Sequence, residues 1–379
     1  MEASGGAAVK VVVAASYDRS LVTFRGPLIR AMIQGGHQVV AAAPVFSASS
    51  RRFLQDLGVT CVEVRMARTG VNPVPDLFTM AAYYRLLRKE RPQLLLAYTV
   101  KPIVYGGMAA RLAGIRGFFP MVTGLGYAFT GDAAGRRLVS TVVRHLYRAA
   151  LKGSRAVFFQ NPDDLEEFRR RGILGASARA VVINGSGVDL DDFAAVPLPR
   201  EPVFFMAARL LKDKGVREYA EAARIVRRAH PEARFRLAGW LDRNPSAIKR
   251  DELAAWVEEG VLEYLGALED VRPALAKARV YVLPSYREGT PRSVLEAMSM
   301  GRPVVTTDVP GCRETVIDGV SGFRVPARDP GALAAACLRF VEQPELADCM
   351  GREGRRLAEE RYDVHKVNAV ILETMGLAG

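Results

Sequence analysis

Cysteine, histidine and tryptophan are scarce: 379 residues contain four, four and two of them. Cys61, Cys312, Cys337 and Cys349 form no CxxC pair and show no metal-ligand spacing, so neither a disulfide scaffold nor a zinc module is expected. His37, His145, His230 and His365 are scattered, with no HxH or HExxH grouping, which leaves a histidine-held metal and a Ser-His-Asp hydrolase without support. No apolar run reaches the roughly 18 residues of a membrane-spanning helix. Residues 1–8 lack the basic start and long apolar stretch of a signal peptide, so a cytoplasmic location is expected. No GxxxxGK[ST] loop occurs. Gly124-Leu-Gly126 and Gly185-Ser-Gly187 begin like GxGxxG but carry Phe129 and Leu190 where the third glycine belongs. Asp189-Leu-Asp191 spells a DxD metal pair, yet its Asn/Gly-rich setting reads as turn and cap chemistry. The net charge of +12 comes without any recognition motif or aromatic-rich basic module, so nucleic acid is not expected as a partner.

What is present is an ordinary globular balance, 49% hydrophobic and 25% charged, in a chain long enough for two domains. Short β-branched or apolar runs at 10–15, 37–43, 60–64, 93–98 and 119–122 alternate with helical spacing at 24–33, 80–88 and 105–113. The rhythm pauses in an Asn/Gly-rich turn and a Pro-rich stretch before 202, then restarts. Strands are expected at 203–207, 234–238, 262–265, 280–283 and 303–307, with helices at 215–229, 247–259, 271–278 and 293–300. Strands buried on both faces and separated by helices predict parallel sheets in two tandem α/β domains. The expected division is 1–190, a linker at 191–202, 203–360, and a C-terminal helical segment at 361–379 packing back on the first domain. Ligands of such sheets bind beyond the carboxyl ends of the strands, which places the expected site in the cleft between the domains.

The stretch 284–303 carries the most chemistry. Glu288 falls at a strand's carboxyl end and Glu296 one to two turns into the following helix. Backbone NH groups of Gly289, Thr290, Arg292 and Ser293 at that helix start suit a diphosphate, and Pro291 fits the first turn at the loss of one donor. Glu296 is placed to accept hydrogen bonds from vicinal hydroxyls such as those of a ribose, and Glu288 should face a sugar and not the phosphates. Arg209 and Lys214, after the first strand of the second half, would converge on the diphosphate as a bidentate clamp and a point charge, without metal. The alternative for these two is a solvated basic loop capping a helix.

Arg209-(x4)-Lys214-Gly215, the pair Glu288-(x7)-Glu296, 301–307, and Gly311 through Glu314 leading to Asp318-Gly319 and Gly322 resemble the donor-binding half of retaining family 4 glycosyltransferases. The resemblance covers nearly all of 203–379. It implies the GT-B fold, two Rossmann-like parallel-sheet domains facing each other across a cleft, with Arg209 and Lys214 on the donor diphosphate. It further implies Glu288 near the transferred sugar, Glu296 on the ribose, and residues 262–268, including Leu268, flanking the base. Phe24-Arg25, the segment 98–106 and the loop 121–129 resemble the bacterial branch that extends undecaprenyl-diphosphate-linked sugars, which includes N-acetylgalactosaminyltransferases using a UDP donor. Many family members carry a histidine before the glycine of that loop; Thr123 stands there in this chain.

The implied activity is a retaining, metal-independent transfer of an N-acetylhexosamine or hexose from a UDP-sugar to a polyprenyl-diphosphate-linked saccharide. No cofactor is expected. In a front-face displacement the departing phosphate oxygen can take the acceptor proton, so the protein must position both substrates and stabilise charge. Lys101 is a candidate for the acceptor's phosphate or an orienting hydrogen bond. Tyr105 would stack on a sugar or fill core. Thr123, Gly124 and Gly126 would form a close-approach loop, or a plain tight turn. On a helical wheel Arg137, Arg144, Arg148, Lys152 and Arg155 share one face opposite an apolar one. The apolar face is expected to be buried in the domain while the basic face meets an anionic membrane surface, peripherally at the inner face of the bacterial cytoplasmic membrane. The charge supports that placement, since residues 1–190 hold 25 Lys+Arg against 12 Asp+Glu. Rival readings are an epimerase or hydrolase of the same shape, which would turn over a UDP-sugar without acceptor, and a non-catalytic UDP-sugar-binding subunit.

Overall fold

The computed structural model describes residues 7–66, 73–125, 134–242, 244 and 246–378. It divides into two units, Met1–Ser186 with His365–Gly379, and Gly187–Val364. The first is built on a seven-stranded parallel sheet. Its strands are β1 (Lys10–Ala14), β2 (Gln38–Ala43), β3 (Thr60–Glu63), β4 (Leu94–Tyr98), β5 (Gly117–Val122), β6 (Val157–Phe159) and β7 (Ala180–Val182). Their order is β3-β2-β1-β4-β5-β6-β7, with Val11 opposite both Val39 and Leu94. The pleat sends alternate residues to opposite faces, so Val11 and Val13 enter one core and Val12 the other. The first core is completed by the C-terminal helix Val364–Met375 through Val367, Ile371 and Met375, and His37 Nε2 lies 3.2 Å from the Leu377 carbonyl.

The second unit carries six parallel strands: β8 (Val203–Ala207), β9 (Arg234–Ala238), β10 (Glu263–Tyr264), β11 (Val280–Leu283), β12 (Val304–Thr307) and β13 (Gly322–Val325), ordered β10-β9-β8-β11-β12-β13. Phe204 and Phe235 stack at 4.6 Å between centroids across β8 and β9. In both sheets the strand order reverses beside the unit's first strand, between β1 and β4 and between β8 and β11. This is the topological switch point at which open α/β sheets receive ligands.

The structure corrects the expected division. The chain crosses between the units at Ser186–Gly187 and again at Val364–His365, and residues 191–202 belong to the second unit instead of linking two bodies. Buried Arg302 fixes them there. Its Nη1 donates to Val196 O (2.7 Å), its Nη2 to Pro197 O and Ala276 O (3.0 Å each), and its Nε to Leu275 O (3.0 Å). Ser299 Oγ donates to Phe193 O at 2.7 Å and Arg279 Nη1 to Pro199 O at 2.5 Å. A Pro-rich segment donates few backbone hydrogens, but its carbonyls remain good acceptors, and buried arginines use them. By these boundaries the first unit carries 26 Lys+Arg against 12 Asp+Glu and the second 27 against 29. Among the described residues no helix is long and apolar enough to cross a membrane.

Candidate active site

The switch point of the second unit assembles the predicted donor residues from two loops. After β8 the chain passes Arg209, makes one 3₁₀ turn over Lys212–Lys214, and enters the helix Val216–Ala229 through Gly215. After β11 it runs through Pro284 and Ser285 to Glu288. Lys214 Nζ is in direct ion-pair contact with Glu288 Oε1, the same oxygen that accepts from Ser285 Oγ at 2.7 Å. Both charged side chains are largely sheltered, 16% and 14% exposed, so the attraction is screened little by water. Arg209 lies with its Nη1 3.6 Å from Asp242 Oδ2, in the loop after β9, and is more open at 40%. The two predicted clamp cations are therefore each held by a carboxylate, one of them Glu288 itself.

Two glycines make this arrangement possible. Gly215 has φ +72°, and a Cβ on it would lie 2.1 Å from the Pro284 carbonyl oxygen; Gly311 has φ +84°, and its Cβ would lie 2.3 Å from the Glu288 carbonyl oxygen. The Glu288 loop is thus gripped from both sides by backbone, with Glu288 N donating to Pro310 O at 3.0 Å. Beneath it the Cys312 thiol is buried against Thr306 and Thr307; burial, helped by the Glu288 charge, pushes it up to about 12, which makes it an inert thiol.

The helix Arg292–Ser299 starts at Pro291 without a side-chain cap. Arg292 Nε donates to Glu296 Oε1 at 2.8 Å, a contact one helical turn apart. Burial holds the Glu296 carboxyl above its usual range, and the Arg292 guanidinium opposes the rise. Ser293 hydrogen-bonds the Tyr281 hydroxyl, which also donates to Ala207 O at 3.0 Å. Gly289 is buried and Thr290 half-buried beside Glu288. Leu268 lies in the loop after β10, 38% exposed.

In the first unit the switch point lies between Ser16, after β1, and Thr99, after β4, and Thr99 Oγ1 donates to Ser16 Oγ at 2.9 Å. Lys101 follows, and directly after it a π-helical turn, Pro102–Gly106, of the kind often found at functional sites, carries Tyr105. Both converge on a residue that sequence reasoning missed. Asp76 accepts from Lys101 Nζ at 2.6 Å and from Tyr105 OH at 2.8 Å, and is buried in doing so. Burial and the adjacent Asp76 charge push the Tyr105 phenol up, which keeps it a donor. The signal that could have found Asp76 is local: Pro73 and Pro75 with an acid next to them mark a helix start, and the helix runs Pro73–Glu90, seven residues earlier than apolar spacing alone placed it. We predict that Asp76→Ala lowers stability by about 3 kcal/mol, since it leaves a sheltered ammonium without its counter-charge; urea unfolding checks it.

Thr123 and Gly124 follow β5, and Gly124 at φ +120° needs to be glycine. Gly126 and the side chain of Arg137 lie outside the described residues. In the helix Ala134–Leu151, Val143, Tyr147 and Ala150 are buried while Arg148 is exposed and Arg144 half-buried; Lys152, just beyond the helix, is exposed too. The apolar face is buried in part: Leu146 is half-buried and Val142 is 43% exposed, and the side chains of Leu138 and Val139 lie outside the described residues. Asp189 Oδ1 accepts from the backbone N of Asp191 and of Asp192, both at 3.1 Å, so the DxD is a turn. Among the described residues no three His, Cys, Asp or Glu side chains come together as a metal-ligand set.

The chain matches two family models, "Glycosyl transferase 4-like" over residues 10–161 and "Glycosyl transferases group 1" over residues 201–343. It is 27% identical over 341 residues to the N,N'-diacetylbacillosaminyl-diphospho-undecaprenol alpha-1,3-N-acetylgalactosaminyltransferase of Campylobacter jejuni, covering 86% of this chain and 88% of that one. It is 26% identical over 291 residues to the UDP-Gal:alpha-D-GlcNAc-diphosphoundecaprenol alpha-1,3-galactosyltransferase of Escherichia coli, covering 73% of each. The structure of HepE from Anabaena in complex with UDP superposes with a TM-score of 0.77 at 19% identity, over 97% of this chain and all of that one. A 4-like half followed by a group 1 half, each on its own parallel sheet, makes this chain a member of the two-domain glycosyltransferases of the GT-B fold.

Proposed function

We propose that the protein transfers an N-acetylhexosamine or hexose from a UDP-sugar to a polyprenyl-diphosphate-linked saccharide, with retention and without a metal ion, at the inner face of the bacterial cytoplasmic membrane. The observation that carries this reading is the Lys214–Glu288 pair, with Ser285, at the switch point of the second sheet. A lysine there meets the charge that builds on a departing diphosphate, where a preorganised cation lowers the barrier more than the ground state. Arg209 adds a fork suited to phosphate oxygens. Glu288 orients Lys214 beside the sugar, and Glu296 takes the ribose hydroxyls. The departing oxygen receives the acceptor proton, so no protein base is required at Thr123. In the first unit Lys101, Tyr105 and Asp76 form a donor and acceptor set for the saccharide or its diphosphate.

The relatives support both substrates. Both are named for an undecaprenol-diphosphate-linked sugar and an alpha-1,3 linkage, and one for UDP-Gal as donor. An α product from an α-configured nucleotide sugar is retention. The test is a panel of UDP- and GDP-sugars with short polyprenyl-diphosphate saccharides, read by mass. A mass gain of one sugar from a UDP donor is expected, with UDP released only when acceptor is present; UDP release without acceptor would mark a hydrolase. With the charge supplied by Arg209 and Lys214, EDTA should leave the rate within about twofold; a rate restored only by added Mg²⁺ or Mn²⁺ overturns metal independence.

A further inference from the structure

The helix Pro73–Glu90 has two unlike faces. Asp76, Thr79, Tyr83, Leu86 and Leu87 are buried. The opposite side is solvent-facing, and its first half is apolar: Val74 and Leu77 are each 64% exposed and Phe78 65%, with Tyr84 at 38% further along. Its second half is basic, with exposed Arg85 and Arg88. At 100° per residue these six positions fall within a stripe of about 120°. A helix that presents large apolar side chains to water and cations beside them has the composition of one lying in a membrane interface, apolar residues among the acyl chains and arginines at the phosphates. The surrounding unit carries the whole positive excess of the chain, 26 basic against 12 acidic residues.

We propose that this face of the Pro73–Glu90 helix, and not the basic face of Ala134–Leu151, is where the protein docks on an anionic lipid bilayer, with Leu77 and Phe78 inserted and Arg85 and Arg88 on headgroup phosphates. The complementarity is of both kinds that an interface needs, whereas among the described side chains of Ala134–Leu151 the one exposed large apolar residue is Val142, at 43%. One helix diameter, about 10 Å, then separates the lipid plane from Asp76 on the inner side of the same helix. The inference deepens the lipid-linked reading of the acceptor by naming the surface that meets the lipid.

The experiment is co-sedimentation of the full chain with vesicles of phosphatidylglycerol and phosphatidylcholine, without donor or acceptor. Leu77→Ser/Phe78→Ser should lower the bound fraction about tenfold or more, and Arg85→Glu/Arg88→Glu should do the same most strongly at low salt. Arg144→Glu/Arg148→Glu should change it less than about threefold. The milder Leu77→Ala/Phe78→Ala, checked for an unchanged melting curve, should fall between. Undiminished binding by Leu77→Ser/Phe78→Ser overturns the proposal, as does wild-type protein that ignores phosphatidylglycerol. A dimer in solution that this pair converts to monomers, with vesicle binding unchanged, assigns the face to a second copy instead. Because no sugar is transferred in this assay, failure of the transferase reading would show in the donor panel alone, and failure of the docking face in the vesicles alone.

Discussion

Lys214→Ala is expected to reduce kcat by about 10²–10³-fold, and Glu288→Gln by a similar factor, in a protein that stays folded at assay temperature although each variant leaves a sheltered charge without its counter-charge. The two side chains share one oxygen and are both largely sheltered, so each sets the position and charge of the other. Without Lys214 the departing diphosphate loses its nearest point charge, and the Glu288 carboxylate is left to repel it. Glu288→Gln keeps the shape of the side chain and an acceptor for Ser285, but removes the charge that holds Lys214 in place. Because the interaction strengthens as the phosphate oxygen gains charge, the loss should fall on kcat more than on KM for the donor. Lys214→Arg should recover only part of the activity, since a planar fork does not fit a point-charge contact that Ser285 and Glu288 already frame. Full turnover from either variant, measured with donor and lipid acceptor together, would remove this pair from the mechanism.

Gly311→Ala should cost about 4 kcal/mol of stability, combining a backbone conformation that alanine rarely adopts with overpacking against atoms that cannot rotate away. A Cβ there meets the carbonyl oxygens of Glu288 at 2.3 Å and Gly289 at 2.5 Å. Relief requires the Glu288 loop to move, so donor turnover should fall together with stability. Guanidinium unfolding and donor turnover on the same sample check both halves. The control is Gly319→Ala, also at positive φ (+73°) but with nothing within 4 Å of its Cβ, which should lose only about 1–2 kcal/mol and keep its activity. Equal behaviour of the two variants would mean that the close approach at Gly311 does not hold the loop.

Uninterrupted apolar runs are legible from the residues, and strands without one are not. The runs at β1, β4, β8 and β11 are apolar and β-rich enough to be read directly, four residues sufficing at β11, whereas β6 and β7 span three residues each and β13 carries a glycine and an arginine within its four. The Pro-rich stretch reads as a linker because the rhythm of strands and helices pauses there. Its carbonyls instead satisfy Arg302, a partner more than 100 residues away that no local pattern reveals. The candidate site divides in the same way. Glu288, Lys214 and Arg209 stand at strand ends in a recognisable spacing. Asp242 enters only through tertiary pairing with Arg209, Asp76 is marked locally as the acid of a helix start but gains its role from Lys101, and Ser285 is an ordinary loop residue until it is seen on the Glu288 carboxylate.

The two switch points, in unrelated sequence, carry the same small device: a lysine, a carboxylate and a hydroxyl, as Lys101, Asp76 and Tyr105 in one sheet and Lys214, Glu288 and Ser285 in the other. Each device is neutral as a whole. On the proposed reading, an anion reaching either lysine would share it with a carboxylate already seated there, whose charge opposes the anion. That opposition would persist after the sugar has moved and help to release the spent ligand. Weak retention of product suits a catalyst that has to turn over, and on this reading it would follow from pairing each cation in advance.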